Sequence, residues 1–345
     1  MSESFINKEP TLEDYWRGII LIGKNSASYK FALAKSLLEL KPQSGQLVKL
    51  GDLAPVFARN ITEHLQNSDK QGTSKSSKFL DACREYNASR ITHNELIKET
   101  ERLGFVNVID AFHIVGSGEI PKKFYIDERK VNDGIRITDE FSKLLEGSQL
   151  DNLPLEVESR WRLIETSWRL NIASGLIGVE HDSNTESFFV NDLNKRKTVT
   201  SCRDSLNGYQ KGKCFYCFSD INIDANVNDS LPDVDHFFPH ALKKQGFKGI
   251  DKVWNLVLSC QECNRGVSGK FDSIPTIKLL ERLHKRNEYL ISSHRPLREE
   301  LIKQTGVSEQ GRKSFLNEFY IKAKKSRPGS PWEAEDPEEP VFNCR

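Results

Sequence analysis

Two Cys-x-x-Cys pairs, Cys214/Cys217 and Cys260/Cys263, are the residues of this chain most evidently spaced for chemistry. Each turn can bring two thiolates onto one ion, and two turns complete the tetrahedron that zinc prefers. Such an ion acts as a structural clip and contributes folding energy. The 42 residues between the pairs exceed the insert of a simple zinc ribbon and leave room for a hairpin and a helix. Two disulfides or a redox Cys-x-x-Cys are the rival readings. The matched double set and the lack of a secretory leader favour zinc.

The insert holds a second set of residues. The stretch from Asp233 to Phe238 alternates as a strand and stops at Pro239, Trp254–Leu258 reads as a second apolar strand, and a helix is expected from Gln261. Asp235 on the first strand and Asn264 at the helix start offer hard oxygen ligands, suited to Mg²⁺ or Mn²⁺ rather than zinc. Two protein ligands leave positions for water and phosphate oxygens. His236, beside such an ion, could take a proton from an attacking water. A hydrogen-bonded core histidine is the plain alternative, which its place between Asp235 and the knuckles disfavours.

Cys214 to Lys270 resembles the HNH endonucleases with a ββα-metal core, in the subgroup carrying two zinc knuckles, over about 60 of the 345 residues. The resemblance implies that Asp235 and Asn264 ligate a catalytic divalent metal and that His236 is the general base. It implies that Asn255 braces the loop between the strands and helps orient His236, and that the four cysteines hold structural zinc. It also implies cleavage to 5′-phosphate and 3′-hydroxyl ends, with one strand nicked per core. Many relatives have a lysine three residues after the Asn that follows the last cysteine. Here Val267 stands in that place, with Arg265 and Lys270 nearby as phosphate-contacting candidates. His240 lies four residues after His236, but Pro239 argues against one continuous helix. His240 therefore reads as a surface or phosphate-contacting residue before a metal ligand, and Arg203 joins the candidates for nucleic-acid contact.

The elements that must position these residues suggest an α+β chain of two or three domains, at about 100–200 residues each. Residues 12–40 carry helical spacing broken near Gly23–Ser26, with a capping start at Thr11 and Asp14. Residues 52–88 continue helically around a polar loop. From Thr92 the sequence predicts a capped helix to Gly104, strands over Val106–Val115 and Lys122–Asp127, and a short strand and helix from Gly134. The 89–146 stretch thus looks winged-helix-like, with Lys122, Lys123, Arg129 and Lys130 near the wing; such folds bind duplexes or proteins. The expected division is a mostly helical 1–150, a helical connector over 151–200, a nuclease domain over 201–327 and a disordered acidic tail over 328–345. In the connector, Trp161, Trp168 and flanking arginines on a helix over 154–178 suit packing better than nucleic acid. A second helix is expected over Arg196–Tyr209, and residues 274–325 read as helices with a turn at Gly306–Gly311.

Charge is balanced overall, 50 Lys and Arg against 49 Asp and Glu, but not locally. Ala241 to Arg327 holds 19 basic and 9 acidic residues, as a phosphate backbone would need, although a solvated helical surface gives the same count. There is no internal repeat, no Gly-rich phosphate loop and no long apolar span. ATP dependence would therefore come from a regulatory or ATPase partner. The scattered Cys83, Cys202 and Cys344 suit a reducing, cytoplasmic setting. The expectation is a metal-dependent nuclease acting on DNA, with a zinc-stabilised nucleic-acid-binding module that does not cut, or a nuclease subunit needing a partner, as alternatives. Restriction, anti-phage defence and mobile-element roles all fit.

Overall fold

Thr11 opens the first helix as its sequence dictates. Its hydroxyl accepts from the Asp14 amide while the Asp14 carboxylate accepts from the Thr11 amide, closing a capping box on α1 (Leu12–Leu21). The computed structural model describes residues 10–23, 27–74, 76–115, 118–169, 179–182, 185, 187–192, 195–226, 230–292 and 297–334. They form two compact units, within Pro10–Asn171 and Ile172–Arg345, so the division falls past the expected boundary at 150.

In the first unit α1 is followed by α2 (Tyr29–Leu40), β1 (Leu47–Lys49), α3 (Leu50–Asn67) and α4 (Lys78–Asn87). Then come α5 (His93–Glu99), prolonged by a wide turn to Gly104, α6 (Val108–Ala111), the two-residue strands β2 (Ile114–Val115) and β3 (Gly118–Glu119), and β4 (Tyr125–Asp127). The unit closes with α7 (Arg129–Asn132), β5 (Gly134–Ile137), α8 (Asp139–Leu145) and α9 (Asn152–Arg169). The core is aromatic. Trp16 meets the ring edges of Phe112 and Phe124, and Phe57 packs on Phe79 and Phe105.

One expectation here is corrected. Val106–Val115 is a helical turn and only two strand residues, because Phe105, Val108, Ile109 and Phe112 are all buried and recur at helical, not alternating, spacing. The sheet of the 89–146 stretch runs β1-β5-β4, taking an edge strand from residues 47–49. Of the wing cations, Arg129 is paired with Asp110 and Asp127, and Lys123 with Glu119.

A buried polar chain crosses α2, α3 and α9. The His64 ring stacks on Trp161 with centroids 3.5 Å apart; its Nδ1 lies 2.7 Å from Glu165 Oε1 and its Nε2 3.2 Å from Glu158 Oε2. Burial pulls the imidazole pKa down, but the two carboxylates outweigh it and hold it above the ordinary histidine value. Glu158 also takes Lys35, at 2.5 Å.

The second unit begins with an antiparallel meander of β6 (Val179–Asp182), β7 (Ser187–Asp192) and β8 (Lys195–Ser201). The connector, expected to be helical over 151–200 apart from a short strand at Phe188–Val190, is helical to Arg169, and that strand is the middle of β7 in a three-stranded sheet; residues 170–178 of its predicted helix lie outside the described residues. The helix predicted from Arg196 is β8 until Ser201, whose hydroxyl caps α10 (Cys202–Asn207). Lys195–Ser201 carries Thr198, Val199 and Thr200, a β-branched run that favours strand. Next come β9 (Asp233–His236), β10 (Leu256–Ser259), α11 (Gln261–Arg265), α12 (Ile277–Ser292), α13 (Leu297–Thr305) and α14 (Glu309–Ser326). Gly311 lies inside α14, capped by Ser308, so only Gly306 remains in the turn.

The acidic tail is folded as far as it is described. Trp332 pairs in parallel with Pro275: its amide donates to Ile274 O and its carbonyl accepts from Thr276, both at 2.9 Å. Its indole N–H donates to Ser268 O at 2.8 Å, and its ring stands edge-on to Tyr216 at 5.1 Å. Residues 335–345 of the expected tail lie outside the described residues. Among the described residues no helix is long and apolar enough to cross a membrane.

Candidate metal centre and active site

The four knuckle cysteines converge. Their Sγ atoms all lie within 4.8 Å of one another, and Cys217 and Cys260 are 3.7 Å apart. That matches the edge of about 3.75 Å expected for a tetrahedron on Zn–S bonds of about 2.3 Å. It is far beyond a disulfide bond of about 2.05 Å. Backbone bonds fix the arrangement: Cys214 N to Ser219 O at 2.8 Å, Phe215 N to Leu258 O at 2.9 Å, and Cys260 N to Cys214 Sγ at 3.3 Å. Left as thiols the four conflict. Hydrogen bonds within the cluster, first those with Cys214, lower Cys217 and take Cys260 to about 6, while Cys214 (by Cys217) and Cys263 are driven up. A divalent cation such as zinc would resolve that conflict by accepting all four as thiolates.

Strands β9 and β10 pair antiparallel, with His236 opposite Leu256 and Asp233 opposite Ser259. Each is shorter than predicted, because Trp254 and Asn255 belong to a tight turn before β10, and Phe237 has left the β9 ladder. Alternation puts Asp233 and Asp235 on one face and His236 on the other. His236 sits at the strand end, 13% of its side chain exposed, with Nε2 3.1 Å from Asp251 Oδ1. Asp251 also takes His240 Nε2 at 3.5 Å and the Lys243 ammonium. Burial works to raise the Asp251 carboxyl, but Lys243 and the imidazoles outweigh it and hold it below the usual range. Asp251 escaped the sequence reading; an acid in the loop between the two strands was its only signal.

Asn255 is fully buried. Its Oδ1 accepts from Phe238 N at 2.8 Å, and its Nδ2 donates to Phe238 O at 3.0 Å and Ile250 O at 2.9 Å. It thus ties both ends of the loop that carries His240, Lys243 and Asp251. Phe315 and Phe319 of α14 cover this loop through Trp254 and Phe238.

The acidic face differs from expectation. Asp235 is 8% exposed, and its Oδ2 accepts from Tyr216 OH at 2.6 Å and lies 3.1 Å from Lys270 Nζ. Burial lifts its carboxyl above the ordinary value, against the pull of Lys270 and Tyr216. Lys270, expected at phosphate, is fully buried in this ion pair, with its Nζ also on Phe271 O, and so cannot meet a nucleic-acid backbone in this structure. Asn264 points its Nδ2 at Asp233 Oδ2, 2.9 Å away, rather than at Asp235. Arg265 is exposed but pairs with Asp233 at 3.1 Å, Arg203 donates to Pro232 O at 2.6 Å beside the same strand, and His240 is exposed. Asp233 and Asn264 are thus joined by a hydrogen bond, while Asp235 is held separately by Tyr216 and Lys270; carboxylate and amide oxygens are the donor type that Mg²⁺ or Mn²⁺ prefers.

Two supports were invisible in the sequence. Gln210 bonds both backbone groups of Leu258, at 2.8 and 2.9 Å, and steadies β10 from the side. Arg282 of α12 lies beneath the first knuckle, donating to Phe215 O and Tyr216 O at 3.0 and 2.7 Å, with its guanidinium 3.9 Å from the centre of the Phe218 ring. No family model, curated protein or solved structure matches the chain.

Proposed function

We propose that the second unit is a divalent-metal-dependent endonuclease acting on DNA, built around a zinc-stabilised hairpin. The observation that supports this best is the His236–Asp251 pair at the end of a strand whose opposite face bears Asp233 and Asp235, with Asn264 adjacent. A proton on Nε2, held by Asp251, leaves Nδ1 as the basic nitrogen of the ring. That nitrogen would remove a proton from water as its oxygen attacks phosphorus and the 3′ oxygen departs, leaving a 5′-phosphate. Asp251 orients the ring and stabilises the imidazolium that forms. A Mg²⁺ or Mn²⁺ ion on the Asp235 face would stabilise charge building on the phosphate. Zinc on the four cysteines would hold the hairpin. Lys243 and Arg265 supply exposed or half-exposed cations for the phosphate backbone, and the exposed His240 a further hydrogen-bonding group.

The buried Lys270–Asp235 pair favours a second reading, a nucleic-acid-binding module that does not cut, because an internal ammonium already balances the carboxylate. A supercoiled-plasmid assay separates the two. The nuclease reading expects open-circle product from wild type only with Mg²⁺ or Mn²⁺, and none from His236→Ala of equal zinc content. A metal-independent gel shift with an intact plasmid would overturn it in favour of the binding module.

A further inference from the structure

Tyr216 stands between two zinc-ligand positions, in Cys214-Phe215-Tyr216-Cys217, and it is fully buried. Its hydroxyl is the donor to Asp235 Oδ2 at 2.6 Å. The tyrosine has little freedom to leave. Its carbonyl accepts from Arg282, and Trp332 packs edge-on against its ring. The other partner of Asp235 hangs from the second knuckle: the Lys270 backbone amide donates to Cys263 O at 2.8 Å, and Lys270 Nζ is 3.1 Å from the carboxylate. Both groups that orient Asp235 are therefore carried by the cysteine turns, one by each pair.

From this we propose that the four-cysteine cluster positions the Asp235 carboxylate, with Tyr216 as the positioning residue, so that zinc occupancy and affinity for the hard divalent ion are coupled. The inference rests on the nuclease reading, in which Asp235 is an ion ligand. A partner that orients a ligating carboxylate typically contributes about 10–100-fold to metal affinity. Coupling of this kind is reciprocal: ejecting zinc weakens Mn²⁺ binding, and bound Mn²⁺ slows zinc loss to a chelator.

The test uses the full chain with Tyr216→Phe, which deletes one oxygen. Zinc content and Mn²⁺ affinity are measured by metal analysis and by electron paramagnetic resonance of free Mn²⁺. Zinc is expected to stay at the wild-type level while the Mn²⁺ dissociation constant rises about 10-fold. The Mn²⁺ concentration for half-maximal plasmid nicking should rise by the same factor, with a much smaller change in the rate at saturating Mn²⁺. Trp332→Ala, which removes only the edge contact, should shift Mn²⁺ affinity in the same direction by less. If Tyr216→Phe lost zinc, Trp332→Ala would decide alone. Unchanged Mn²⁺ affinity in zinc-replete variants overturns the inference and leaves the nuclease reading standing. A wild type that neither binds Mn²⁺ nor nicks overturns both.

Discussion

Replacing Asn255 by Ala removes a side chain whose three hydrogen bonds all end on buried backbone. The groups left behind are the Phe238 amide, the Phe238 carbonyl and the Ile250 carbonyl, and both residues are fully buried. At about 1 kcal/mol for each deserted buried group, the loop between β9 and β10 should lose about 3 kcal/mol. Since 1.36 kcal/mol is a factor of ten, this is roughly a 100-fold rise in the open population. Amide exchange at Phe238, read by mass spectrometry on the full chain, should accelerate by that factor, with amides of the first unit unchanged. Asn255→Asp is the sharper variant. It keeps an acceptor for the Phe238 amide but turns a carboxylate oxygen toward two carbonyls, so it should open the loop at least as much. Exchange at Phe238 within threefold of wild type in Asn255→Asp would refute the reasoning, because Nδ2 could not then be facing those carbonyls.

Two further outcomes follow from charge and metal. Metal analysis should find zinc on the cysteine cluster, and stripping it or making Cys260→Ser should loosen the second unit. The cross-link from Cys217 to Cys260 is worth about 4 kcal/mol of chain entropy in the simplest treatment, so deuterium uptake should rise across residues 214–270 and not across 10–169. In the first unit, the two carboxylates raise the His64 pKa above its unfolded value, so protonation stabilises the fold. That stability is complete below the unfolded pKa of about 6.5 and is lost as pH climbs through the folded value. The unit's melting temperature should fall from pH 6 to pH 9, with the slope absent in His64→Gln.

What the sequence revealed here was local. The spacing of Cys214, Cys217, Cys260 and Cys263, the alternation around Asp235 and the Thr11–Asp14 capping pair are each decided within a few residues, and all of them place their elements. The short strands and turns were harder, since Phe105, Val108, Ile109 and Phe112 suit a helical turn as well as a buried strand. The least legible features join distant residues. Lys270 looked like a surface cation until the fold set it against Asp235, 35 positions away. Arg282 looked like one more helix charge until it reached under Tyr216, 66 positions away. A single Trp in a proline-rich acidic stretch was the clue that Trp332 has somewhere to bind.

The docking of Trp332 also has a mechanical meaning. The two backbone bonds it makes with Ile274 and Thr276 turn the chain between them, including α12, α13 and α14, into a closed circuit fastened at one clasp. A pull on the chain beyond Ala334 is therefore delivered first to the clasp and to Ser268, which the indole grips, and only afterwards to the end of α14. Ser268 lies in the turn that follows the second cysteine pair and leads to Lys270. Tension at that end of the chain is routed to the knuckle and its carboxylate partner before any of the three helices begins to unravel.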